Sequence, residues 1–203
     1  MRKAIIATIA SLAFAGTAFA SAPAMNVDAG QIQAGYTNYN LKTNGTTVGD
    51  MGTFRADSYQ LAYGLSSNLA FTGEYLNSET RNVSTYFYNY PNLSFNSTQL
   101  GLQYQMNKNI ALSVGNVKSG FKSDAGSNSN SEVFAGIAYN APVSSNLNGY
   151  ASYLKSSHVE DAKVGVKYAI GNNASFDVGY RNYQDSSSGI TAKGMGFGLN
   201  YKL

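Results

Sequence analysis

The sequence predicts an all-β protein, a closed antiparallel up-and-down barrel that spans a membrane, with about ten strands and eight as the alternative count. Three observations carry this. Between positions 194 and 203, Met195, Phe197, Leu199, Tyr201 and Leu203 alternate with Gly194, Gly196, Gly198, Asn200 and Lys202, so an extended chain there has one wholly apolar face and one small or polar face. A turn followed by a strand recurs four times along the chain. Charged residues make up only 12% of the sequence, about half the share of an ordinary soluble domain.

Taken from the N-terminus, Arg2 and Lys3 precede an apolar run over residues 4–15 and the small-residue site Ala18-Phe19-Ala20. This is the pattern of a secretory signal peptide. The expected organisation is therefore a cleaved signal over residues 1–20 and one barrel domain over residues 21–203. Removing Arg2 and Lys3 lowers the basic count from 14 to 12 against 11 acids, a mature net charge of +1, which gives no reason to expect a nucleic-acid partner. An exported chain without cysteine has neither a disulfide framework nor a thiol site. With one histidine as well, no transition-metal site and no cofactor are expected.

The first strand is predicted over residues 30–41 from the alternation of Ile32, Ala34 and Tyr36 with Gln31, Gln33 and Gly35, and residues 42–52 read as a loop. The second, over residues 57–65, places Tyr59, Leu61, Tyr63 and Leu65 on one face and ends at Ser66-Ser67-Asn68. Asn68-Leu69-Ala70-Phe71 after that turn is echoed from Asn109, Asn146 and Asn173. Leu61-Ala62-Tyr63 before it is echoed by Leu102-Gln103-Tyr104, Ile137-Ala138-Tyr139 and Val166-Lys167-Tyr168. Four such hairpins, an opening strand and a closing strand give the even number that brings both ends to one side. Connections on the other side are expected as longer polar loops over residues 42–52, 77–95, 119–130, 156–159 and 183–191.

Alternation alone suits a soluble barrel equally well. The polar faces settle the choice, because they carry mostly Gly, Ala, Ser, Gln and Asn, which suit a narrow lumen, where a water-facing surface would carry Lys, Glu, Asp and Arg. The apolar faces, such as Val133/Ala135/Ile137/Tyr139 and Ala162/Val164/Val166/Tyr168, are free of charge, as hydrocarbon requires. Tyr63, Tyr104, Tyr139, Tyr168 and Tyr201 are expected to form one aromatic girdle and Tyr36, Tyr75, Tyr153 and Tyr180 the other. The terminal strand with Phe197, Leu199, Tyr201 and Leu203 resembles the closing strand that serves as an assembly signal in Gram-negative outer-membrane barrels. The whole pattern is similar to the small outer-membrane barrel superfamily, including OmpA-type membrane domains and opacity-type and attachment-type surface proteins. The resemblance implies an outer-membrane location, surrounding lipid and the membrane's assembly machinery as partners, and a monomer, but no single activity.

Glu74, Lys163, Lys167, Asp177 and Arg181 fall on the lumen-facing parity. A tight turn near Asn172 pairs Lys167 with Asp177 and sets Lys163 near Arg181. These charges are read either as a gate or filter of a narrow passive porin or, preferably, as an ion-pair plug. Tyr86, Phe87, Tyr88 and Tyr90 give the second outer connection an aromatic cluster suited to contacting an unidentified surface ligand. His158, with Ser156, Ser157, Glu160 and Asp161 nearby, offers a weaker third reading as a rim hydrolase. The expectation is a non-enzymatic surface or structural role, adhesin-like through its outer loops, with the porin as the alternative.

Overall fold

The computed structural model describes residues 22–84 and 89–203. Its strands are β1 (Ile32–Gly45), β2 (Gly49–Gly64), β3 (Leu69–Ser78), β4 (Arg81–Ser84), β5 (Asn89–Asn107), β6 (Ile110–Ser123), β7 (Gly126–Pro142), β8 (Leu147–Lys155), β9 (Val159–Ala169), β10 (Ala174–Asp185) and β11 (Ile190–Lys202). Consecutive strands pair antiparallel except β3 and β4, β1 pairs with β11, and β3 pairs directly with β5. The result is a closed barrel of ten strands, with β4 an added strand held against the distal part of β5. Closure pairs the backbone without leaving an edge, which hydrocarbon demands.

The repeated turns explain one end. Leu65 donates its N–H to the Leu69 carbonyl at 2.8 Å, Val143 to Leu147 at 2.8 Å and Ile170 to Ala174 at 2.9 Å. The fourth turn is capped by the Asn107 side chain, which accepts from the backbone of Asn109 and Ile110 at 2.9 and 3.0 Å. These short turns mark the periplasmic end. The outer connections differ from the expected long loops. β1 and β2 stay paired to Gly45 and Gly49, and β6 and β7 to Ser123 and Gly126, so most of residues 42–52, 119–130 and 183–191 is strand. The physical reason lies inside, where Leu41, Met51, Phe54, Leu93, Phe95 and Ile190 form a buried apolar core that holds polar outer segments in register.

Polarity therefore inverts along the strands. In the membrane-facing half, Leu61, Tyr63, Phe71, Leu102, Tyr104, Ile137, Tyr139, Val166, Tyr168 and Phe197 stand exposed on the outside, while Gln33, Ser58, Gln99, Gln103 and Asn200 are buried within. Both expected tyrosine girdles are on this outer surface, with Tyr36 partly covered by its 5.0 Å ring contact with Tyr59. Beyond the outer girdle the arrangement reverses: Tyr39, Leu41, Phe54 and Ala56 are buried inside, while Asn40, Lys42, Thr53 and Arg55 are exposed. The expected uniformly small, polar lumen is thus corrected in its extracellular half.

Glycines on the closing strand make this interior possible. A Cβ on Gly196 would lie 2.5 Å from the Tyr39 ring, so a side chain there would displace the aromatic core. On the outside, Val166→Lys is expected to lower stability in a bilayer by ~2–4 kcal/mol, the cost of a cation facing mid-membrane. Urea unfolding in lipid vesicles measures it, and the exposed rim substitution Thr53→Lys serves as the neutral control.

Candidate functional site

At the level where polarity inverts, four charged side chains meet inside the barrel. Glu74 comes from β3, Asp161 and Lys163 from β9, and Arg181 from β10, all on the inward parity of their strands. Arg181, fully buried, donates through Nε and Nη2 to the two oxygens of Asp161 at 2.9 and 2.7 Å and through Nη1 to Glu74 Oε1 at 2.5 Å. The fork geometry of guanidinium suits this two-carboxylate arrangement. Lys163 binds the other Glu74 oxygen and lies 3.7 Å from Asp161. Ser58 donates to Glu74 at 2.8 Å and Gln99 to Asp161 at 3.0 Å. Two acids and two bases leave the cluster neutral, and the supporting hydrogen bonds satisfy the carboxylates, as burial of charge requires.

Tyr39 and Tyr183 flank the guanidinium, their ring centroids 5.4 and 5.8 Å from it. They join the ions to the apolar layers above, one gathered around Tyr39 and Phe54, the other formed by Val117, Phe134, Leu154, Val159 and Tyr183. A cavity of about 100 Å³ lies below the ions, lined in part by Gln99, Gln103, Ser113, Ser152 and Ala24.

Of the expected lumen charges, the fold brings Glu74, Lys163 and Arg181 together. Lys167 and Asp177 are cross-strand partners as expected, as are Lys163 and Arg181, but they sit four residues nearer the periplasmic end. Sequence reasoning placed Asp161 at the outer rim beside His158; it belongs to the lumen cluster instead. The available signal was its spacing of two from Lys163, which puts both on one strand face. Gln99 and Ser58 gave no sequence signal beyond parity.

At the outer rim His158 is held against Glu132. His158 Nδ1 contacts Glu132, and the His158 N–H donates to the same carboxylate at 2.8 Å. Ser156 donates its hydroxyl to Glu132 at 2.6 Å and accepts from the Val159 N–H at 2.9 Å. Glu132 is thus the hub of a three-residue turn, and Ser156 serves that turn; Glu160 pairs with Lys155 and Asp161 is committed to Arg181. Serine, histidine and an orienting acid are not brought into the order a nucleophile needs. Partial burial works against ionisation of Glu132, but the Ser156 and His158 bonds outweigh it and hold its carboxyl down at about 2. Among the described residues, no three His, Cys, Asp or Glu side chains converge as a metal set would require.

In the aromatic connection, Tyr86, Phe87 and Tyr88 lie outside the described residues, while Tyr90 is half-buried against the outer apolar core. Phe197, Tyr201 and Leu203 are exposed on the lipid side of the closing strand, with Leu199 half-buried beside them.

No protein-family model and no curated protein matches the chain. Among solved structures, the outer membrane protease OmpT from Escherichia coli is similar over 90% of this chain and 99% of its own, with a TM-score of 0.56 and 10% identity. Ail, the attachment invasion locus protein of Yersinia pestis, matches over 86% of this chain and 99% of its own at a TM-score of 0.44 and 13% identity. Neisserial surface protein A covers 85% of this chain and 96% of its own at a TM-score of 0.43 and 14% identity. The fold is that of a small outer-membrane β-barrel. Between the two tyrosine girdles the exterior of this chain is free of charge, which is the surface such a barrel needs in a membrane.

Arg181→Met is expected to cost ~3–5 kcal/mol, because it leaves two buried carboxylates facing Lys163 alone; urea unfolding of the refolded barrel measures the loss. Glu132 has its carboxyl lowered from 4.5 to about 2 in the fold, so its contribution is present above 4.5 and is lost as pH falls toward 2. Melting curves over that acid range should therefore fall more steeply for the wild type than for Glu132→Gln.

Proposed function

We propose that this protein is a closed outer-membrane scaffold with a non-enzymatic role at the cell surface, acting through its extracellular hairpins. The observation that carries this reading is the layered filling of the barrel. Residues 22–29 occupy the periplasmic end, the neutral ion cluster occupies the middle, and apolar side chains occupy the extracellular end. Buried ion pairs with each carboxylate doubly satisfied favour a structural plug over a selectivity filter, in which charges face passing water. With the interior committed to packing, the outer surface is the part left to meet a partner.

Within that surface the connection between β4 and β5 is the best-suited element. Its aromatic residues Tyr86, Phe87 and Tyr88, followed by Tyr90 on β5, offer large contact area at low conformational cost. The underlying β5 is anchored by Leu93 and Phe95 in the outer core, which gives the connection a rigid base.

Planar bilayers containing the refolded protein are expected to stay silent, and stepwise conductance that changes on neutralising Lys163 or Arg181 would support the porin instead. In a second measurement, cells displaying the protein should adhere to one another or to a protein-coated surface. Joint replacement of Tyr86, Phe87, Tyr88 and Tyr90 by Ser should reduce adhesion to the level of cells lacking the protein. Unchanged adhesion with a folded barrel would overturn the role given to these aromatics.

A further inference from the structure

The β6–β7 hairpin has an open backbone edge at its outer end. β6 and β7 stay paired up to Ser123 and Gly126, but β7 meets β8 only between Pro142 and Ala135, so the outer end of β7 has a strand on one side alone. Which residues face the open side follows from the ladder. The Asn140 N–H binds the Asn109 carbonyl at 2.8 Å on the β6 side, and antiparallel pairing alternates with a period of two. Even-numbered residues of β7 therefore point their N–H and C=O groups to β6, and odd-numbered residues point theirs away. The Val143 N–H, bonded to the Leu147 carbonyl on the β8 side at 2.8 Å, keeps the same parity. Next to Val133, Glu132 holds the turn over residues 156–158 through Ser156 and His158. Beyond it Ser127, Ser129 and Ser131, all exposed, present backbone groups to the open side over about 14 Å, at ~3.4 Å per residue. The Ser131 N–H has a local partner in the exposed Asn130 side chain at 2.9 Å.

We propose that this edge is a docking site for an extended acidic segment of a partner protein, which joins β7 as an added strand. The proposal rests on the reading of the outer hairpins as the interacting part of the molecule, and it uses a surface separate from the aromatic connection. Exposed edges are ordinarily guarded by charge, proline or a bulge; residues 126–131 carry none of these. Alternate N–H and C=O groups in one line are matched by another extended backbone. The charge of the partner follows from the next strand. Ser127 and Ser131 pair with Lys122 and Lys118 of β6, all four exposed on the outward face. Beside the lysines on β5 stand Ser94 and Thr98, and Asp124, two positions beyond Lys122, accepts from the Asn92 side chain at 2.7 Å. Among the described residues no salt bridge engages either lysine. An added strand would run about 10 Å from them, two strand spacings away, and the flexible lysine stems pass over the short serines to reach it. Carboxylates four residues apart on the partner's outward face would meet both lysines. A second copy would instead bring its own lysines to that face, like charge against like.

The probe is a fluorescein-labelled peptide of nine residues, threonine throughout except for glutamate at its third and seventh positions. Its fluorescence anisotropy, titrated with the refolded barrel in detergent, should rise to saturation. Ser129→Pro removes a donor on the open side and keeps the bonds to β6, so it should weaken binding about tenfold, while Ser129→Ala should leave binding unchanged. The same peptide N-methylated at alternate residues keeps its charge but cannot pair, and should lose binding to the wild type whether or not any variant folds. Lys118→Gln and Lys122→Gln should each weaken binding ~2–5-fold, the range of an exposed ion pair. Absence of saturable binding, or equal binding by the N-methylated peptide or by Ser129→Pro, would overturn the proposal. Self-association of the barrel that the peptide displaces would assign the edge to a second copy and overturn it as well. The barrel with serine at Tyr86, Phe87, Tyr88 and Tyr90 should bind the peptide as the wild type does, which keeps a failure at this edge separate from a failure of the aromatic connection in adhesion.

Discussion

The structure depends on a single constraint: each strand must serve two environments in succession, and its polarity inverts where they meet. Below the outer tyrosine girdle the outside is apolar and the inside polar, the arrangement that lipid imposes. Above it the outside is polar and the inside apolar, the arrangement that water imposes on any folded barrel. The two halves share continuous backbone ladders, so the upper half needs no long unpaired loops and the lower half inherits a rigid cap.

The ion cluster sits at that boundary and relates the two halves. Arg181 binds Asp161 and Glu74 through its N–H groups and has the rings of Tyr39 and Tyr183 within 6 Å of its guanidinium carbon, at 5.4 and 5.8 Å. Guanidinium is suited to both contacts, because it is planar, weakly hydrated and able to bind two carboxylates at once. A lysine in its place would keep the charge and lose the fork. The cluster also explains why a barrel of only ten strands tolerates charge in its interior: the four groups neutralise one another and Ser58 and Gln99 complete their hydrogen bonding.

Much of this was legible in the alternation of side chains. The four turn repeats, the two tyrosine girdles and the Lys167–Asp177 and Lys163–Arg181 registers follow from period-two spacing and tight turns, which are local properties. The outer core was misread as loop because residues 42–52 and 119–130 are rich in Gly, Ser, Thr and Asn, a composition that signals turns when it is judged locally. The inversion did leave a trace. Tyr36 and Tyr39, Val114 and Val117, and Tyr180 and Tyr183 are three residues apart, an odd step that carries an apolar side chain from one face of a strand to the other.

The sequence by itself determined that the chain alternates, turns tightly at one end and keeps charge off one face, because backbone geometry and the cost of charge in hydrocarbon act on neighbouring residues. Only the tertiary structure decided which inward residues meet. Asp161 joins Arg181 and Glu74, and Ala22 reaches Asp177, across separations of up to 155 positions. Closure of the barrel sets those encounters, since it brings strands distant in sequence around one narrow axis where every buried charge must find its counterpart.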